Sequence, residues 1–204
     1  MRKLAACFIV FISFIAVPSA LFADVIDQSG SQPPAEKITV IAELHELIST
    51  HTTYFRGGTL LISYPVSPKF SLGLGAEYSY VGFHFDNGYD LTHFKLMPVF
   101  IDSRITFSNG KKFVPFFRLS PGITFDSYIK QDDKKQPPTP PSSSPLPYQV
   151  KDTGLYVYAG AGGTYKINNY FGLIAEAGFK GYHMTFNNLD INPHGLVFGL
   201  GLAF

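Results

Sequence analysis

Beyond residue 37, nearly every second side chain in this sequence is bulky and apolar or aromatic, while the residues between are small, polar or charged. In 194–204, Leu196, Phe198, Leu200, Leu202 and Phe204 alternate with Gly195, Val197, Gly199, Gly201 and Ala203. A period of two is that of a β-strand, whose successive side chains point to opposite faces, and helical spacing is scarce, so the chain reads as all-β. Eight strands are expected, at about 37–48, 54–66, 69–85, 91–107, 112–129, 153–167, 170–186 and 194–204.

The two faces differ in kind. On 69–85, Phe70, Leu72, Leu74, Ala76, Tyr78 and Tyr80 oppose Ser71, Gly73, Gly75, Glu77 and Ser79. On 170–186, Phe171, Leu173, Ala175, Ala177 and Phe179 oppose Gly172, Ile174, Glu176, Gly178 and Lys180. A soluble barrel has the same period with its apolar face inside, so alternation alone does not choose between them. The connections do. Three are tight, at 67–69, 108–112 and 167–169, and the four between them (STHTTY, DNGYD, QDDKKQPPTPPSSSPLPYQVKD and NNLDINP) are longer or more polar. Short turns at one end and long loops at the other are the pattern of an outer-membrane barrel, with the tight turns in the periplasm.

Aromatic placement agrees. Tyr64, Phe70, Phe107, Phe113, Tyr165 and Phe171 flank the tight turns on the apolar phase, as a periplasmic interfacial girdle requires, and Phe204 joins them from the last strand. The expected fold is an eight-stranded antiparallel up-and-down transmembrane β-barrel with both termini periplasmic. On 91–107 the phase is expected to break at Pro98 through a bulge, with His93, Lys95 and Met97 inward on one side and Asp102, Arg104 and Thr106 inward on the other.

The amino-terminal 23 residues, MRKLAACFIVFISFIAVPSALFA, read as a signal peptide: Arg2 and Lys3, an apolar stretch over 4–17, then Pro18 and small residues. Cleavage after Ala23 removes Cys7, the only cysteine, and with it any disulfide or thiolate chemistry. The remaining 14 basic residues against 15 acids leave a net charge near −1, which does not point to nucleic acid. Residues 24–36 are expected as a periplasmic segment and 37–204 as the barrel. The Pro/Ser-rich stretch within 130–152 is expected as a disordered extracellular loop, having too few apolar residues to offset the entropy of ordering.

These features resemble the small eight-stranded outer-membrane barrels of the OmpA transmembrane-domain and OmpX type. The signal peptide, the alternation of connections and the terminal LVFGLGLAF carry the resemblance. It implies residence in the bacterial outer membrane among lipid and lipopolysaccharide, and insertion by the barrel-assembly machinery. It also implies that Leu196, Phe198, Leu200, Leu202 and Phe204 form the assembly signal. Anchoring to the cell wall is not implied, because no room is left for the domain that follows the barrel in OmpA.

The inward phase carries Glu43, Glu77, Lys95, Asp102, Arg104, Arg118, Glu176 and Lys180, four acids with four bases. An eight-stranded barrel is just wide enough to be filled by side chains, and unpaired buried charges are costly, so a balanced lumen network is expected, either as a structural core or as a gate. All six histidines lie towards the loops, with His45 and His93 on the inward phase and His84, His183 and His194 on the outward one. They are therefore not expected to converge on a metal. The His45-Glu46 pair lacks the second histidine of H-E-x-x-H, Ser49 standing in its place. GLG at 73–75 and 199–201 and GAGG at 160–163 lie inside strands and are packing glycines rather than phosphate loops.

The function expected is therefore non-enzymatic: a monomeric barrel contributing to membrane integrity, or to surface interaction with a surface or host ligand through its loops. It would have no cofactor, no metal and no catalytic residue. A narrow pore for small ions or apolar ligands is the alternative. A lipid A-modifying enzyme is the third reading, with His183 or His194 and Asp190 as its groups, although no serine neighbours them in sequence.

Overall fold

The computed structural model describes residues 38–86, 89–107, 112–131, 148–186 and 189–204. The expected signal peptide and 24–36 segment, most of the expected 108–112 turn and the bulk of the Pro/Ser-rich stretch lie outside them. Nine strands follow one another: β1 (Thr39–Ser49), β2 (Tyr54–Ser67), β3 (Phe70–Asp86), β4 (Tyr89–Thr106), β5 (Phe113–Gln131), β6 (Tyr148–Lys166), β7 (Gly172–Phe186), β8 (Leu189–Ile191) and β9 (His194–Ala203). Each pairs antiparallel with its chain neighbour, except that both β8 and β9 pair with β7, and β9 returns to β1, closing the cylinder.

β8 and β9 are one strand in structural terms. Met184↔Ile191 and Gly181↔His194 keep a single register along β7. The interruption falls at Asn192-Pro193, where proline brings no N–H to the ladder, and the Pro193 carbonyl still accepts from Tyr182 N at 3.0 Å. The architecture is thus the expected closed, eight-stranded, up-and-down barrel.

The strands run further towards the loops than expected. β5 and β6 continue their ladder as far as Lys130↔Tyr148, so residues 130, 131 and 148–152 of the expected loop are strand. Asp86↔Tyr89 and β8 likewise take up much of DNGYD and NNLDINP. At this end the hairpins carry their backbone pairing beyond the roughly 9–11 residues that a membrane-spanning strand needs.

Apolar side chains cover the outside. Leu44 is 75% and Leu200 69% exposed, and the two face each other across the β1–β9 seam. Leu74, Ile101, Phe117, Leu155, Leu173 and Phe198 continue this surface around the cylinder. An outward polar row climbs obliquely across five strand pairings, Glu46↔Arg56↔Tyr80↔Lys95↔Ser127↔Lys151, with Arg56 8 residues from the turn-end Tyr64 and Lys151 14 from Tyr165, and Arg56 Nε donates to Glu46 Oε1 at 2.9 Å.

This polar belt corrects the reading of β4. Alternation runs unbroken through Pro98: Phe94, Leu96, Pro98, Phe100, Asp102 and Arg104 point inward, while Lys95 and Met97 point outward. Pro98 is accommodated by a gap in the β3–β4 ladder between Ala76↔Val99 and Ser79↔Leu96, with the register unchanged. The bulge lies nearer the loops, between Thr92 and Lys95, where His93 takes a left-handed φ of 54°. β3 changes phase at the same level, around Gly82. His84 therefore turns inward and is fully buried, while His93 is exposed, the reverse of both expectations.

The interior is layered. Charges occupy the middle, and towards the loops an apolar plug of Leu47, Phe55, Leu91, Phe94, Leu96 and Met184 fills the cylinder as a soluble core would. Replacing Leu44 by arginine, near the middle of the apolar band, is expected to destabilise the protein by about 2–4 kcal/mol in lipid bilayers. Urea unfolding in vesicles measures this, and a change near zero would mean that this face does not meet lipid.

Candidate functional site

Seven of the eight charges expected in the lumen are there, and Lys95 is not. Arg118, on β5, is the centre of the first group. Its Nε donates to Asp102 Oδ1 on β4 at 2.5 Å, and its Nη1 to Glu43 Oε2 on β1 at 2.9 Å. The same Nη1 reaches both Glu176 oxygens on β7, at 3.0 and 3.1 Å. Ser120 Oγ donates to Asp102 Oδ1 at 2.7 Å, and the guanidinium lies over the Tyr158 ring at 5.1 Å.

The small residues of β9 make this possible. A Cβ on Gly201 would lie 2.5 Å from Glu43 Cγ, and one on Gly199 would lie 3.1 Å from Glu176 Cγ, so both carboxylate stems occupy space that any other residue would fill.

Nearer the loops, Glu77 collects donors from four other strands and its own. Lys180 Nζ lies at 2.7 Å, Tyr182 Oη at 2.8 Å, Ser79 Oγ at 2.8 Å, and Thr59 Oγ1 and Tyr156 Oη both at 3.4 Å. His45 Nε2 is 3.3 Å from Glu77 Oε1. The two groups leave a void of only about 10 Å³ between them, barely room for one water.

Arg104 lies apart, over the Phe116 ring at 4.2 Å, and its Nε and one Nη have no hydrogen-bond partner. It forms the floor of an open vestibule of about 400 Å³ at the turn end, whose wall includes Lys69 and Lys166.

The girdle and terminal residues follow the outward phase, with Phe70, Phe171 and Phe204 also bordering the vestibule. Tyr64, Phe107, Phe113, Tyr165 and Phe204 are exposed, Phe70 and Phe171 are half-buried, and all seven gather at the turn end. Leu196, Phe198, Leu200 and Leu202 are likewise exposed along β9. Phe204 is fixed by paired backbone bonds with Val40, at 2.7 and 2.9 Å.

The groups weighed for catalysis are separated. His183 Nδ1 meets Asn192 Oδ1 at 2.5 Å, Asp190 accepts from Thr185 at 2.9 Å, and His194 Nε2 lies 3.1 Å from Thr50 Oγ1. A serine–histidine contact that sequence spacing could not reveal does exist, His45 Nε2 to Ser79 Oγ at 2.9 Å. Ser79 is fully buried in the filled lumen, however, with its proton directed at Glu77.

The histidines converge more than expected. The ring centroids of His51 and His84 are 5.6 Å apart, and those of His51 and His194 are 5.8 Å apart. The signal that sequence reading missed was Gly82, where the phase of β3 changes.

Near the loop end, next to Ser127 and Lys151, Asp126 faces Asp152 across the β5–β6 ladder. Each lies 13 residues from its turn-end aromatic, Phe113 or Tyr165, whereas a spanning strand needs about 9–11 residues, so the pair lies beyond the lipid band. Burial first, and then the Asp152 charge, push the Asp126 carboxyl from 3.8 up to about 7.

A closed antiparallel cylinder with an apolar outside and a charged, filled inside defines the architecture of the small eight-stranded outer-membrane barrels. Two solved structures share this fold. Neisserial surface protein A (NspA) matches with a TM-score of 0.50 at 10% identity, over 81% of this chain and 94% of that one. A major outer membrane protein from Thermus thermophilus matches with 0.51 at 13% identity, over 82% and 99%. The N-terminal β-barrel domain of Pseudomonas aeruginosa OprF gives 0.46 at 18% identity, over 83% and 99%. At such identities the likeness is one of fold. No protein-family model and no curated protein matches the chain.

Two outcomes follow from the site. Arg118→Met leaves three carboxylates facing one another without their cation and is expected to cost about 3–5 kcal/mol in urea unfolding, against a smaller loss for Glu176→Gln, which leaves two of the three pairs. Because Asp126 holds its proton up to about pH 7 in the fold and only to about 3.8 when unfolded, stability declines as pH rises between those values and is level above them. Asp126→Asn should flatten that slope, and an unchanged slope in the variant would assign it to another group.

Proposed function

We propose that this chain is a closed, non-enzymatic barrel of the bacterial outer membrane, which contributes to the integrity of that membrane and meets surface or host ligands through its loop end. The single observation that carries this reading is the filled lumen inside an apolar exterior. Arg118 with its three carboxylates, then Glu77 with its donors, then the apolar plug obstruct the axis in turn. The exterior supports a lipid environment, since a soluble protein would not present Leu44, Leu74, Leu196, Leu200 and Phe198 together to water.

The turn-end aromatics suit the periplasmic interface, and the exposed Lys95 and Lys151, 12 and 14 residues from Phe107 and Tyr165, suit the outer one among lipopolysaccharide. In that orientation both termini are periplasmic, and β9 offers its apolar face to the barrel-assembly machinery. The vestibule at Arg104 ends blind against the charged layers, which disfavours the pore reading. The buried position of Ser79 disfavours the enzymatic one.

The test is electrical. Purified protein inserted into planar bilayers is expected to give no steady conductance steps above the bare membrane. Regular steps that scale with salt concentration would replace this reading with that of a narrow pore.

A further inference from the structure

We propose that the loop end holds a divalent transition-metal site, zinc in first place, formed by His51, His84 and Asp86. The ligands come from the β1–β2 connection and the end of β3, and one atom of each lies within 4.8 Å of the others. His51 Nε2 is 3.8 Å from Asp86 Oδ1, and His84 Nε2 is 3.6 Å from Asp86 Oδ2. These separations exceed a hydrogen bond, yet they are close to the roughly 3.3–3.5 Å between ligand atoms held about 2.0–2.2 Å from a tetrahedral metal.

Burial strengthens the assignment. His84 is fully buried, packed against Phe55 at 5.2 Å and Phe94 at 5.7 Å between ring centroids, and neither of its nitrogens has a hydrogen-bond partner. His51 Nδ1 also lacks one. A buried imidazole with no hydrogen bond is a costly arrangement, and a cation on Nε2 would offset that cost. Asp86 is held in place by Asn192, whose N donates to Oδ2 at 2.9 Å, the kind of outer contact that orients a ligating carboxylate.

Two imidazoles and one carboxylate select zinc or a neighbouring first-row ion over calcium or magnesium, which prefer all-oxygen sets. The fourth position would be left to water or to a surface ligand. Bound metal would tie the β1–β2 connection to the end of β3, so the site acts as a clip on the mouth of the barrel.

The experiment uses the exported protein purified in detergent micelles and stripped with chelator, with zinc titrated calorimetrically and cobalt followed by its visible absorption. One ion per barrel is expected, with an intense tetrahedral cobalt band, and affinity should fall at least tenfold in His84→Gln and in His51→Ala, while exposed His183→Ala binds as the unaltered protein does. His51 lies in a turn, so its variant keeps the test available should the buried His84 variant fail to fold. Absence of stoichiometric binding, or binding that survives His51→Ala but is lost in His183→Ala, would overturn the assignment.

Discussion

Four strands meet at one guanidinium. Arg118 of β5 reaches Asp102 beside it and Glu43 and Glu176 from across the cylinder, so the pairing is as much a brace across the diameter as a local contact. Charges removed from water are tolerated only where each is paired and hydrogen-bonded, and this arrangement meets that condition within the reach of one side chain. The rest of the interior accommodates it. The glycines of β9 give up their side-chain volume to the carboxylate stems, and Tyr158 lays its ring beneath the guanidinium.

A barrel in lipid inverts the usual burial rule, but only along the part of its length that lipid covers. There, apolar residues face out and charges face in. Past the roughly 9–11 residues of each strand that lipid covers, the outside meets water again, and the inside becomes an ordinary apolar core around Phe94 and Leu47. The protein is therefore two kinds of barrel in series, and His84 lies in the second, towards the loops, with Phe55 and Phe94 around it.

This inversion decides what the sequence could disclose. The eight strands, the closure of β9 on β1 and seven of the eight inward charges were legible because the alternation contrasts bulky apolar residues with charged or small ones over most of each strand. On β4 that contrast vanishes. Phe94, Leu96 and Phe100 on one phase face Met97 and Val99 on the other, so Lys95 and Pro98 were the only guides to phase, and both misled. Lys95 faces out because it belongs to the aqueous part, and Pro98 needs a gap in the ladder rather than a bulge. The partners of Arg118 and of Glu77, the Ser79–His45 contact and the gathering of His51, His84 and Asp86 depend on relations between distant strands, which spacing along one chain does not encode.

The unbroken register of β9 along β1, from Ile41↔Ala203 to Ser49↔Gly195, bears on how such a chain can change over time. Each outward residue tolerates exchange among apolar types, and each inward one is limited by the volume beside Glu43 or Glu176. Loss or gain of a single residue is another matter, since it would turn the glycines to lipid and drive the leucines into the carboxylates. Length can therefore vary freely only where no phase has to be kept.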